Sequence, residues 1–255
     1  MAELNIGMVQ MCCEKGALEE NLAAIKSHLK DAARQNIDII CFPEGSITGY
    51  VDPARYPEAV LSLESPAVAR FVEMTSEYPI TALAGIIEAN PAGKPFITQI
   101  VAEQGTLQGF YRKRVIPDDE AHLFAPGSDA AVFSHPKVTF GLAICADIDA
   151  QAVFADCARN GAQLVFEAAA PGLYGEQATR DWQAGYDWWR GGCMTKLARY
   201  AREEHIYIAV ATQAGRTRDE DFPGGGYLFG PDGCCLAEST DWSEGVLSVQ
   251  VALSV

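Results

Sequence analysis

Twice along this chain a strand, an amphipathic helix, a strand, a second helix and a third strand follow in the same order, and each round closes on hairpin-like strands. In the first round the strand signals fall at 4–10, 37–42 and 80–87, with helices over 17–35 and 65–78. Strands at 96–103 and 107–111, turned by Gln104-Gly105, complete it. In the second, strands at 138–144, 164–168 and 206–212 alternate with a helix near 150–160, stopped by Gly161, and a long helix ending around 193–204. Strands at 226–229 and 246–251 close that round. Leu18, Leu22, Ile25, Leu29 and Ala33 share one face of the first helix. Ser65-Pro66 opens the second as a cap residue followed by proline in the first turn. Such alternation builds parallel sheets, because parallel neighbours need a crossover helix between them. The two rounds share order but no residue-by-residue similarity.

Closing hairpins favour two sheets over one doubly wound sheet. The expected fold is α/β, a four-layer α-β-β-α sandwich of two mixed sheets. No Ser/Gly linker or charge run divides the halves, so residues 1–255 are expected to form a single domain. A chain of 255 residues can bury roughly 70–75% of its unfolded surface. A net charge of −15 argues against nucleic acid or an anionic membrane as partner. Met1 to Gly7 has no basic, apolar leader, and no run reaches the ~18–20 apolar residues of a membrane span. The eight Cys show neither C-x-x-C nor zinc-finger spacing, so no metal is expected. No Gly-rich phosphate loop points to a cofactor. Reduced thiols in a cytoplasm are the simplest expectation.

Chemistry gathers where strands end. The run Val138 to Ile144 delivers Cys145, the strand over 37–42 leads into Glu44, and the strand over 107–111 leads into Lys113. Free Cys is commonly a core residue, so the thiol gains meaning only from its companions. A carboxylate, an ammonium and a thiol suffice for acyl transfer through a thioester. Glu44 can take the thiol proton and pass it to a leaving amine. Lys113 can lower the thiol pKa and hold the oxyanion together with the Ala146 N–H.

Four stretches resemble motifs of the nitrilase superfamily, the carbon–nitrogen hydrolases with a Glu-Lys-Cys triad. They are Phe42-Pro-Glu-Gly-Ser-Ile-Thr-Gly-Tyr50, Tyr111-Arg-Lys-Arg114 with Pro117 and Phe124-Ala-Pro-Gly127, Gly141-Leu-Ala-Ile-Cys-Ala-Asp147, and Gly226-Tyr-Leu-Phe-Gly-Pro-Asp-Gly233. The resemblance implies Glu44 as general base, Lys113 as oxyanion-stabilising cation and Cys145 as nucleophile. It gives Glu120 as a second glutamate that places the substrate or the lysine. It also implies the sandwich reached above and assembly into homodimers or higher homo-oligomers.

The same comparison gives expectations for the pocket. Ala146 replaces the aromatic that often follows the cysteine and leaves room beside it. Asp149 either meets a cationic group on the substrate or caps the helix near 150. Ala170 stands where a small residue contacts substrate, Tyr50 at the end of the first motif is expected to bind substrate, and His122 is expected at the pocket edge near Glu120. Asp147 is read as bonding the elbow backbone. The aromatic segment 174–189 either lines an acyl pocket or packs between halves or copies. The substrate is a small amide-type molecule, and an amidase releasing ammonia or an amine is the first reading. An N-carbamoyl amidohydrolase or a nitrilase is the alternative, and a catalytically silent binding protein is the rival of another class.

Overall fold

The computed structural model describes residues 2–253. Its strands are β1 (Ala2–Gln10), β2 (Ile39–Cys41), β3 (Val60–Leu61), β4 (Thr81–Glu88), β5 (Phe96–Glu103), β6 (Thr106–Arg112), β7 (Val132–His135) and β8 (Val138–Ile144). They continue as β9 (Leu164–Ala169), β10 (Tyr207–Thr212), β11 (Ala214–Arg216), β12 (Asp221–Pro223), β13 (Tyr227–Phe229), β14 (Cys235–Glu238) and β15 (Gly245–Leu253). The helices are α1 (Leu18–Arg34), α2 (Pro66–Met74), α3 (Gln151–Arg159), α4 (Trp182–Gly192) and α5 (Ala198–Glu204). A π-helical turn, Cys193–Leu197, joins α4 to α5.

One sheet runs β15-β1-β2-β4-β5-β6, with β3 also beside β4, and the other runs β14-β13-β10-β9-β8-β7. Both are mixed. β1, β2 and β4 lie parallel, as do β8, β9 and β10, while hairpins add antiparallel strands outside them. Strand alternation explains the layers. On β2, Ile39 and Cys41 enter the core shared by the two sheets, whereas Ile40 and, just past the strand, Phe42 pack with Leu22 and Ile25 of α1 and Phe71 of α2. On the second sheet Phe140 and Phe166 meet edge to face at 5.7 Å between ring centres. Gly141 points the other way, and a Cβ there would lie 2.6 Å from the Cys157 sulfur of α3. Burying each large apolar side chain contributes about 1.5–3 kcal/mol, which favours the four layers over any arrangement that exposes a sheet face. The sandwich expected from the strand order is the fold observed.

The last strand departs from expectation. β15 pairs antiparallel with β1 from Gln10↔Gly245 to Ala2↔Leu253, so it closes the first sheet and not the second. The second sheet ends instead on β14, and its opposite edge is β7. Neither was read from sequence, because Cys235-Leu-Ala-Glu238 and Val132-Phe-Ser-His135 are short edge strands with little buried surface.

Candidate active site

Four strand ends converge. β2 leads through Phe42 and Pro43 to Glu44, while β6, β8 and β9 end just before Lys113, Cys145 and Ala170. The Glu44 and Lys113 side chains are buried, and Lys113 Nζ donates to Glu44 Oε1 at 2.9 Å. The Ala170 N–H donates to the other carboxylate oxygen at 2.8 Å. Gln213, the residue after β10 and Thr212's neighbour, donates its side-chain amide to the Glu44 carbonyl at 2.8 Å. The turn carrying Glu44 fits because Gly85 of β4 lacks a side chain; a Cβ there would sit 2.2 Å from the Gly45 nitrogen.

Cys145 adopts φ +46°, a left-handed conformation that an L side chain resists. The buried Asp147 carboxylate holds it there. Its Oδ2 accepts the Ile144 N–H at 2.9 Å and the Tyr111 hydroxyl at 2.7 Å. Its Oδ1 accepts the backbone N–H groups of Arg114 at 3.1 Å and Val115 at 2.8 Å. The elbow of the thiol and the loop of the lysine therefore share one clamp, which bears out the reading of Asp147.

Burial raises the pKa of Glu44, and the Lys113 charge offsets only part of that rise. Burial works to deprotonate Lys113, but the charges of Glu44, Cys145 and Glu120 outweigh it and raise its pKa, so the ammonium is held charged. Burial, then Glu44, push the Cys145 thiol well above its ordinary value, against the pull of Lys113. The lysine thus acts in the expected direction without setting the outcome. The resting thiol is protonated and needs a base beside it, and a buried carboxylate of raised pKa is suited to that task.

Cys145 and Lys113 line a cavity of about 450 Å³, and Tyr50, Glu120, Ala146, Asp149 and Ala170 line it with them. The Tyr50 ring lies 5.7 Å from Lys113 Nζ. One carboxylate oxygen of Glu120 is buried, and the Tyr50 hydroxyl interacts with that carboxylate. His122 is exposed and does not line the cavity, because its turn directs Glu120 inward instead. Asp149 does not cap α3, whose N-cap is Ala150; it is bonded to Lys196 of the π-helical turn. The aromatic segment divides. Tyr174, Trp188 and Trp189 line the cavity, while the Tyr186 hydroxyl donates to the Ser239 carbonyl at 2.7 Å. Gln213 escaped the sequence reading although it directly follows a strand, the same signal that marks Glu44, Lys113 and Cys145. Lys196 and Glu220, also on the cavity wall, have no such signal. Among the described residues no His, Cys, Asp and Glu cluster could hold a metal ion, and no helix is long and apolar enough to cross a membrane.

The sequence pattern of the carbon–nitrogen hydrolases matches residues 5–255, and the chain belongs to that family. It is 26% identical to a probable nitrilase of Schizosaccharomyces pombe, over 98% of this chain and 89% of that protein. It is also 26% identical to an N-carbamoylputrescine amidase of Arabidopsis thaliana, over 99% and 88% of the two chains. Among solved structures, an amidase variant from Nesterenkonia sp. AN1 superposes with a TM-score of 0.82 at 23% identity, covering 97% of this chain and 90% of that one. In that structure the acetamide moiety of fluoroacetamide is covalently attached to the active-site cysteine. The protein is a hydrolase acting on carbon–nitrogen bonds with the nitrilase-superfamily fold.

Proposed function

We propose that the chain is an amidase that cleaves small amides through a Cys145 thioester. The observation that carries this reading is the buried Glu44 carboxylate, gripped by Lys113 at 2.9 Å and by the Ala170 N–H at 2.8 Å, at the cavity that Cys145 lines. Glu44 takes the thiol proton as sulfur bonds to the amide carbon. The carbonyl oxygen becomes an oxyanion, held by the Lys113 ammonium and the Ala146 N–H in the helical turn that opens at the nucleophile. The C–N bond then breaks, and the proton on Glu44 goes to the leaving amine. Glu44 next deprotonates a water that attacks the thioester. Collapse of that intermediate releases the carboxylic acid, and the proton returns to the sulfur.

The test is a panel of short amides, N-carbamoyl amines and nitriles, read by release of ammonia and carbon dioxide and by intact mass of the protein. The reading expects ammonia from amides without carbon dioxide and an acyl adduct on Cys145. It also expects turnover to disappear in Cys145→Ala. Full turnover in that variant, or turnover of N-carbamoyl amines or nitriles alone, overturns it.

A further inference from the structure

Glycine weakens a helix interior, because it gives up more backbone freedom on folding than alanine does. Yet α4 contains Gly185, Gly191 and Gly192. At Gly185 a Cβ would lie 2.6 Å from Leu173, so the chain crossing the helix accounts for it. Gly192 has no such reason. Its backbone is ordinary right-handed helix, φ −61° and ψ −50°, which any residue adopts. A Cβ there would meet no atom within 4 Å. What sets Gly192 apart is the direction it faces, since it lines the cavity that Cys145 lines. Gly191 has equally open space but is exposed and lies off that cavity.

Trp188, Trp189 and Lys196 line the cavity with Gly192, each three or four residues from it along the helix. The missing side chain therefore leaves a notch between two indoles and a lysine. Its flanks are fixed. Trp189 is buried, and its indole N–H donates to Thr212 Oγ1 at 3.0 Å. Lys196 is bonded to Asp149, so the two charges on that side answer each other. The π-helical turn starts at the next residue, Cys193, and such turns are frequent at functional sites. In acyl transfer the leaving nitrogen must reach Glu44, which is gripped by Lys113 and Ala170. None of those groups belongs to α4, so the α4 wall meets the acyl end of the substrate.

We infer that Gly192 sets the size of the acyl group, its notch receiving an apolar chain longer than acetyl. This deepens the amidase reading and rests on it for the reacting end. A polar chain end would lose its water between the indoles, where Lys196 and Asp149 are bonded to each other. An apolar chain gains about fourfold in kcat/KM for each methylene buried there. A side chain at 192 would occupy that space first. The helix thus keeps a residue that weakens it where the substrate needs the room.

The experiment measures kcat/KM for acetamide, butanamide and hexanamide in the parent, Gly191→Ala, Gly192→Ala and Gly192→Leu. The parent is expected to prefer hexanamide to acetamide by about tenfold or more. Gly192→Leu should cut that preference about tenfold, and Gly192→Ala by a smaller factor. Both alanine variants should raise Tm by about 2–4 °C, but Gly191→Ala should leave the preference as it is. An equal shift in Gly191→Ala would make helix flexibility the cause and overturn the inference. So would an unchanged preference in the Gly192 variants, with Gly192→Ala deciding alone if leucine prevents folding. A parent that hydrolyses all three amides without preference overturns the inference and leaves the amidase reading intact. If no amide is hydrolysed, the amidase reading falls, and methyl and hexyl methanethiosulfonates replace the amides, with labelling of Cys145 read by peptide mass. A hexyl-to-methyl rate ratio that falls in the Gly192 variants supports the notch, and an unmoved ratio overturns it.

Discussion

The Asp147 carboxylate accepts the Val115 backbone N–H at 2.8 Å, tying the nucleophile's elbow to the loop that carries Lys113. Asp147→Asn preserves volume but turns one acceptor oxygen into an NH₂ group facing donors. The expected cost is about 2–4 kcal/mol of stability, from buried N–H groups left unpaired. The expected loss in kcat/KM is about 10²-fold, from displacement of reacting groups. Tyr111→Phe removes only the 2.7 Å bond to the same carboxylate and should cost about 1 kcal/mol. Thermal melts and initial rates on both variants check this; equal damage from the two would contradict the clamp.

A pH–rate profile tests the base. Glu44 must be ionised to take the thiol proton, and burial raises its pKa despite Lys113. The acid limb of kcat/KM is therefore expected to have its midpoint above the ordinary carboxylate value of about 4.3. Lys113 pulls that midpoint down, so Lys113→Met should move the limb to higher pH. The same change should lower the rate about 10²–10³-fold through the lost oxyanion contact. Profiles between about pH 4 and 9 for both proteins suffice. An unmoved limb in the variant would exclude Glu44 as the titrating base.

What the sequence could reveal follows from the range of each interaction. Long apolar runs make β1, β5 and β8 legible, because burial on both faces writes itself into composition, and α1 is legible from its one apolar face. The destination of β15 was not legible, since its apolar alternation suits either sheet and only the pairing with β1 decides. In the site, Glu44, Lys113 and Cys145 could be read as the first reactive groups beyond strands. Lys113 meets Glu44 at 2.9 Å, and Lys113 and Cys145 line one cavity. The sequence marks Ala170 only as a small residue near substrate, but the structure uses its backbone N–H, which no side-chain pattern encodes. Asp149 could be read as a free acid or a cap, because its partner Lys196 lies far along the chain.

The Trp189 indole N–H donates to the Thr212 hydroxyl at 3.0 Å, fixing one cavity wall to the end of β10. Thr212→Val keeps the shape and removes the acceptor. A buried indole N–H left unpaired is expected to cost about 1–3 kcal/mol. Because Trp189 lines the cavity, KM for amides with longer acyl chains should rise more than kcat falls. Steady-state kinetics on short and long amides, with a denaturation curve, measure both. A kcat loss alone, shared by every chain length, would refute the wall assignment.

Glu167 on β9 is fully buried, and neither of its carboxylate oxygens has a hydrogen-bond partner. Burial first, then the charges of Asp147 and Glu44, raise its pKa well above the usual 4.5. The folded chain therefore holds Glu167 as a neutral acid. With the folded pKa above the unfolded one, its favourable contribution is complete below the unfolded pKa and is lost as pH rises toward the folded value. Glu167→Gln removes the titration while keeping the volume. The variant is expected to gain about 1–3 kcal/mol over the parent at neutral pH, and the gap should close as pH falls below about 4.5. Urea unfolding of both proteins at an acid and a neutral pH reads that difference directly. A variant less stable than the parent at neutral pH would show that the Glu167 carboxylate is ionised and bonded in the fold.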